Sequence, residues 1–166
     1  MKTLYLFRHA HSDSAEPGMD DHDRPLSTRG EQEADNAGAF MKEQGLVPDA
    51  LFCSTSARTR ETVQLAFARI FKPGRDGIMT RYDRSFYLAP VDVLMEEIRD
   101  ADDHFSRLLV VGHNPGLEDL AEKLAAPGGA GIGKFPPSAL AVFNCDINRW
   151  HDFSVKTCKL KKLFMP

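Results

Sequence analysis

The feature that most constrains this chain of 166 residues is the alternation of short apolar runs with longer stretches of helical periodicity. Leu4–Phe7 and Leu108–Val111 are uninterrupted apolar runs, the pattern of strands buried on both faces. Asp49–Cys53, Ile78–Tyr82 and Leu140–Cys145 read as further strands. Phe153–Thr157 reads as the last, paired with its predecessor in a hairpin around Asn148. Helices fill the intervals. Thr28-Arg29-Gly30-Glu31 reads as a capping box, opening a helix with Ala34, Ala37 and Met41 on one face and Gly45 as its stop. Val63, Ala66, Phe67, Ile70 and Phe71 make an amphipathic stripe that Pro73-Gly74 ends. Val91, Leu94, Met95 and Ile98 make another, with Pro90 at its first turn. Leu117, Leu120, Ala121 and Leu124 follow Asn114-Pro115, a cap and a first-turn proline. Strands that alternate with helices imply βαβ units. The expected fold is therefore α/β: a three-layer α/β/α sandwich around a mainly parallel sheet, in a single domain over 1–166.

Composition narrows the function classes. Hydrophobic residues make up 42% and charged residues 27%, an ordinary globular balance. No apolar run approaches the roughly 20 residues that span a bilayer, so no membrane partner is expected. The N-terminus runs straight into a strand and reads as having no signal peptide. Cys53, Cys145 and Cys158 are odd in number and widely spaced, and read as neither a disulfide framework nor a zinc pattern. These features together point to a reducing cytoplasm. A net charge of −3 with both signs mixed argues against nucleic acid as a partner. Lys156, Lys159, Lys161 and Lys162 cluster near the C-terminus and read as a solvated terminal strand. Two loops stand out: a polar, acidic one over 10–25, and a Gly- and Pro-rich one over 127–138, expected to be irregular and mobile.

The reactive residues fall at strand ends. Arg8 and His9 follow the first strand, Arg58 opens the helix after the second, and His113 follows Leu108–Val111. Open α/β sheets bind ligands at the carboxyl ends of their strands, so distant segments bring two Arg and two His to one sheet edge. Helix N-termini near Ser56 and Asn114 add oriented N–H groups. Such a site wants a dianion, and phosphate is the obvious one. Guanidinium forks match phosphate oxygens, and a neutral imidazole can attack phosphorus in line. Nearby Arg charges should lower the His9 pKa and keep its ring neutral. His113 then suits donation to the phosphoryl oxygens as charge develops.

FRHAHS (Phe7–Ser12) resembles the R-H-G signature of the histidine phosphatase (phosphoglycerate mutase-like) superfamily. CSTSARTRET (Cys53–Thr62) is similar to its S-x-x-x-R-x-x-x-T block, and VVGHNPG (Val110–Gly116) to its second-histidine block. The resemblance implies a phosphoglycerate mutase-like fold and a pocket of Arg8, His9, Arg58 and His113, with His9 phosphorylated during turnover. DRPLSTRGEQEA (Asp23–Ala34) is similar to the SixA-type phosphohistidine phosphatases, which implies that Arg24 lies near the pocket. Ala10 stands where the family usually has Gly.

Larger members of the family use a Glu general acid after the second Arg, but here no Glu lies between Glu61 and Glu96. Asp83 is the nearest substitute. An alkoxide leaving group needs a donated proton, whereas a phosphohistidine leaves as neutral imidazole once its ring is protonated. An acid-poor site with no cap insertion therefore fits phosphohistidine on a signalling protein, such as a histidine-containing phosphotransfer domain. No cofactor is expected, since two Arg and two His supply the positive field. Three other readings compete. One is a small-molecule phosphomonoesterase of the same fold; another is a catalytically weak module that binds phosphorylated proteins. The third is a metal site of His9, His11 and His113.

Overall fold

Along the first strand Leu4 and Leu6 point to one side and Tyr5 and Phe7 to the other, and all four are buried. The same period-2 split recurs at Leu108/Val110 against Leu109/Val111, Ala50/Phe52 against Leu51/Cys53, and Ala141/Phe143 against Leu140/Val142. A sheet whose every central strand is apolar on both faces must be covered on both. The computed structural model, which describes residues 1–71, 78–128 and 131–166, shows how. The strands are β1 (Lys2–Arg8), β2 (Ala50–Ser54), β3 (Met79–Asp83), β4 (Arg107–Gly112), β5 (Leu140–Cys145) and β6 (Cys158–Phe164). Their order in the sheet is β3-β2-β4-β1-β5-β6. The first four run parallel, while β5 and β6 are antiparallel additions at one side.

Helices α1 (Thr28–Glu43) and α2 (Ala57–Ile70) cover one face through Ala37, Met41, Val63 and Ala66. Helices α3 (Val91–Arg99) and α4 (Gly116–Ala125) cover the other through Leu94, Ile98, Leu117, Leu120 and Leu124. This is the expected three-layer sandwich. Each fully buried Leu, Val or Phe adds roughly 1.5–3 kcal/mol, so the doubly covered sheet is the main source of stability.

Local details depart from the sequence reading. Ser27, not Thr28, caps α1, its hydroxyl accepting from the Gly30 amide. Pro90 and Pro115 occupy the cap positions just before α3 and α4 rather than their first turns. The final strand is Cys158–Phe164, because Phe153 turns into the core and the Thr157 amide closes a turn on the Ser154 carbonyl. Lys159 and Lys161 are exposed on that strand, as its alternation requires.

The cysteine reading also needs correction. Cys145 and Cys158 are bonded to each other across β5 and β6, where strand register brings their Cα atoms to 4.1 Å. Their separation in sequence hid a pairing that antiparallel register creates, and with it goes the cysteine argument for a reducing compartment. No helix among the described residues is long and apolar enough to cross a membrane. The expected helix stop at Pro73-Gly74 lies outside the described residues. Of the glycine-rich loop, 127–128 belong to a short 3-10 turn and 131–136 form neither helix nor strand, and Glu118 and Glu122 on α4 anchor the latter by accepting from the amides of Phe135, Ile132 and Gly133.

Candidate active site

Strands β1 and β4 are adjacent, parallel and in register, with Arg8 opposite Gly112. The residues just beyond them therefore emerge side by side, and the His9 and His113 rings lie 5.0 Å apart, centroid to centroid. Strand β2 flanks β4, and the helix that follows it delivers Arg58 from its first turn. Arg8, His9, Arg58 and His113 line one cavity at the carboxyl ends of these strands. His11, Ser12, Asp21, Arg24, Leu88, Asn114 and Pro137 complete its wall.

His9 is 8% exposed. Its Nδ1 lies 2.7 Å from the carbonyl oxygen of Ala10. A carbonyl can only accept, so Nδ1 carries the proton and Nε2 keeps its lone pair. Burial, ahead of the charges of Arg58, Arg8 and Arg24, pushes the His9 pKa down to about 3, against the opposing effect of the Ala10 hydrogen bond. The ring is therefore neutral across the physiological range, more from burial than from the arginine charges. Thr62 fixes the turn, accepting from the Ala10 amide at 3.0 Å and donating to the Arg58 carbonyl at 2.6 Å.

His113 is tied on both sides. Arg58 Nη2 lies 3.3 Å from Nδ1, and an arginine can only donate, so Nδ1 accepts and the proton sits on Nε2. That Nε2–H donates to the Ser54 hydroxyl at 2.9 Å. Burial, then the proximity of His9 and Arg58, holds the His113 pKa down at about 2. Tyr87 meets the ring edge-on at 5.3 Å between centroids, and Arg58 lies over the same tyrosine.

Arg58 is 1% exposed, a charge that must be compensated. Asp21 supplies the counter-charge, its Oδ2 accepting from Nη2 at 3.0 Å and its main-chain oxygen from Nη1 at 2.6 Å. A hydrogen bond from the Tyr87 hydroxyl and the neighbouring Arg24 and Arg58 hold the Asp21 carboxyl well below the usual carboxylate range. Arg8 donates through Nη1 to the Phe135 carbonyl at 2.8 Å. The Nε atoms of Arg8 and Arg58 are buried without a partner in the protein. Buried donors of that kind ask for an acceptor, which suits an oxyanion.

Close packing holds the pocket walls. A Cβ on Gly30 would stand 1.9 Å from the His11 carbonyl oxygen, and one on Gly116 equally close to that of Ala89. These helix turns thus press directly on the segments that carry His11 and Leu88. Leu88 has φ 50°, a left-handed conformation costly for a branched side chain, and it stands exposed at the pocket lip.

Arg8, His9, Arg58 and His113 are brought together, and Arg24 joins them on the cavity wall. Asp83 is not among the lining residues. It ends β3, the outermost strand, where its carboxylate accepts from the Ser85 amide and from Arg81. Those contacts, the Ser85 amide first, lower its pKa. Asp83 therefore stands apart from the pocket lining, with β2 and β4 between its strand and β1. His11 turns its Nδ1 to the Ser27 hydroxyl rather than toward His9 and His113. Among the described residues no group of three or more His, Cys, Asp or Glu side chains is arranged to hold a metal ion. The sequence reading missed Asp21 and Tyr87, and it placed Ser54 and Thr62 in the S-x-x-x-R-x-x-x-T block without giving either a role. Asp21 was visible as part of an acidic loop three residues before Arg24; Tyr87 carried no signal, lying between elements.

Known proteins resemble this chain in sequence and in fold. Residues 4–73 match the family described as the histidine phosphatase superfamily (branch 1). An uncharacterised protein of Mycobacterium tuberculosis is 38% identical over 150 residues, covering 86% of this chain and 89% of its own. The structure of SixA from Agrobacterium tumefaciens superposes with a TM-score of 0.83 at 30% identity, over 99% of this chain and 98% of that one. SixA from Nakamurella multipartitia gives 0.80 at 29%, over 99% and 96%. Family match, relatives and site geometry converge: the chain belongs to the histidine phosphatase superfamily, branch 1, and is a phosphatase of SixA-like fold.

Proposed function

We propose that the chain hydrolyses phosphohistidine on a partner protein through a phosphorylated His9. The observation that carries this reading is the pairing of Asp21, the only carboxylate among the described lining residues of the pocket, with donors from Arg24, Arg58 and the Tyr87 hydroxyl, which keep it ionised. A carboxylate held ionised has no proton for an alkoxide, so the site lacks what a phosphomonoester requires. A phosphohistidine protonated on its ring needs no such donor. The name SixA, borne by two similar structures, is that of a protein histidine phosphatase. A histidine-containing phosphotransfer domain is the partner we expect.

His9 attacks with Nε2, whose lone pair the Ala10 hydrogen bond directs away from Nδ1. Arg8 and Arg58, both on the cavity wall, hold the phosphoryl oxygens through their guanidinium groups. His113 stands beside His9 as a neutral ring, its Nδ1 turned to Arg58 and its Nε2–H to Ser54, so Arg8 and Arg58 meet the charge that builds on the phosphoryl oxygens. Water attacks the phosphorylated His9 in the second step, releasing phosphate.

The test offers the purified chain a phosphorylated phosphotransfer domain beside small phosphomonoesters. Brief incubation with labelled substrate and an alkaline quench should trap acid-labile label on His9, with turnover unchanged by EDTA. A chain that prefers a small phosphomonoester, or a His9→Ala variant with normal turnover, overturns the reading.

A further inference from the structure

Arg58 is the most deeply buried charge in the pocket, and both of its terminal nitrogens are already engaged by Asp21. The same carboxylate receives Arg24 on Oδ1, through Nε at 3.2 Å and Nη2 at 2.9 Å. The Tyr87 hydroxyl donates to Oδ2 at 2.5 Å. Two guanidinium groups and a phenol thus hold one carboxylate at the mouth of an anion pocket, and that side chain is 49% exposed. A phosphoryl group that reaches Arg58 Nη2 arrives beside this negative charge. It must either displace the carboxylate or bring positive charge with it.

We propose that Asp21 determines specificity: its carboxylate opposes small phosphoesters, which enter as bare dianions, and favours a phosphoryl group carried on a protonated imidazole, whose N–H it accepts. This rests on the phosphohistidine reading above. The substrate ring is protonated on the nitrogen remote from phosphorus. As the bond from His9 Nε2 to phosphorus forms, the substrate P–N bond breaks and its electron pair returns to the ring nitrogen. The ring leaves as neutral imidazole and keeps its remote proton, so Asp21 accepts a hydrogen bond and donates nothing. Four donors surround the two oxygens, and the substrate N–H replaces one of them. The Tyr87 hydroxyl is the neutral donor of the four and the least costly to exchange. A phosphoester presents no such N–H and meets only repulsion.

The experiment compares the full chain with its Asp21→Asn and Asp21→Glu variants. The substrates are a phosphotransfer domain phosphorylated on histidine and p-nitrophenyl phosphate, with inorganic phosphate as inhibitor. In Asp21→Asn, phosphate inhibition should tighten and the KM for p-nitrophenyl phosphate should fall, each by about tenfold. The kcat/KM for the phosphoprotein should fall by a similar factor. Asp21→Glu should keep the native preference. Opposite movement on two substrates is a result that a merely structural residue would not give. If Asp21→Asn lowers both activities together and weakens phosphate binding, Asp21 only positions Arg58 and the proposal falls while the function stands. If the native chain leaves the phosphoprotein untouched, function and proposal fall together.

Discussion

At the residue scale, His9 is made a nucleophile by its surroundings. One carbonyl takes the proton of Nδ1, and burial removes the alternative of a charged ring. With a pKa near 3 instead of 6.5, the free enzyme loses no nucleophile to protonation between about pH 5 and 8. We expect kcat/KM to stay flat on the acid side down to about pH 5, once substrate ionisation is corrected for. A pH–rate profile checks this, and an enzyme inflection near 6.5 would contradict it. Arg58 and Arg24 should separate in the same assay. Arg58 is buried against His113, whereas Arg24 ties the loop through Asp21 and the carbonyls of Ser12 and Asp13. A charged hydrogen bond is worth roughly 1.5–3 kcal/mol, so Arg58→Ala should lower kcat/KM by about 10- to 100-fold or more, and Arg24→Ala by less. The four principal site residues were legible because strand ends and motif blocks coincide at them. Asp21 was not, because nothing in a run of acidic loop residues marks which one folds back onto an arginine.

At the scale of elements, the pocket depends on helix turns that admit no side chain. Gly116→Ala drives a methyl group into the Ala89 carbonyl, so α4 or the Leu88 segment must shift. Overpacking of this kind costs about 1–3 kcal/mol. We expect a lower midpoint in urea unfolding and a weaker affinity for phosphate, read by competitive inhibition. The Cys145–Cys158 bond closes the segment that carries Trp150 and Phe153 into the core. Its span of 13 residues corresponds to roughly 3 kcal/mol of loop entropy. Thermal unfolding with and without a reductant should show the reduced chain melting lower. The parallel strands and their helices were legible because buried apolar runs and helical stripes differ in period. The C-terminal hairpin was not. Phe153 satisfied a strand pattern while serving as a core plug in a turn, and the edge strand after it carries three lysines, with a half-buried Leu160 and an exposed Leu163.

At the scale of the whole molecule, the two neutral histidines link stability to pH. Each has a folded pKa below 6.5, about 3 for His9 and about 2 for His113, so the unfolded chain binds protons first as pH falls. Their contribution is complete above about pH 6.5 and is lost progressively below it, at up to roughly 1.4 kcal/mol per pH unit for each ring. Lowered carboxylates such as Asp21 and Asp49 act in the same direction, but only at more acid pH. Urea titrations at about pH 7 and pH 5 should show the loss, and His113→Asn should flatten it.

The position of β1 has a consequence for synthesis. Of the six strands it is made first, yet it sits inside the sheet between β4 and β5. Its partners, beginning with Leu108 opposite Leu4, follow about a hundred residues later. At ribosomal speeds of about 5–20 residues per second, this apolar segment waits roughly 5–20 seconds for either neighbour. The apolar strand therefore stays unpaired until β4 has been made. His9 is enclosed only once β4 and the segment that carries Pro137 have been made, so the pocket forms late relative to β1.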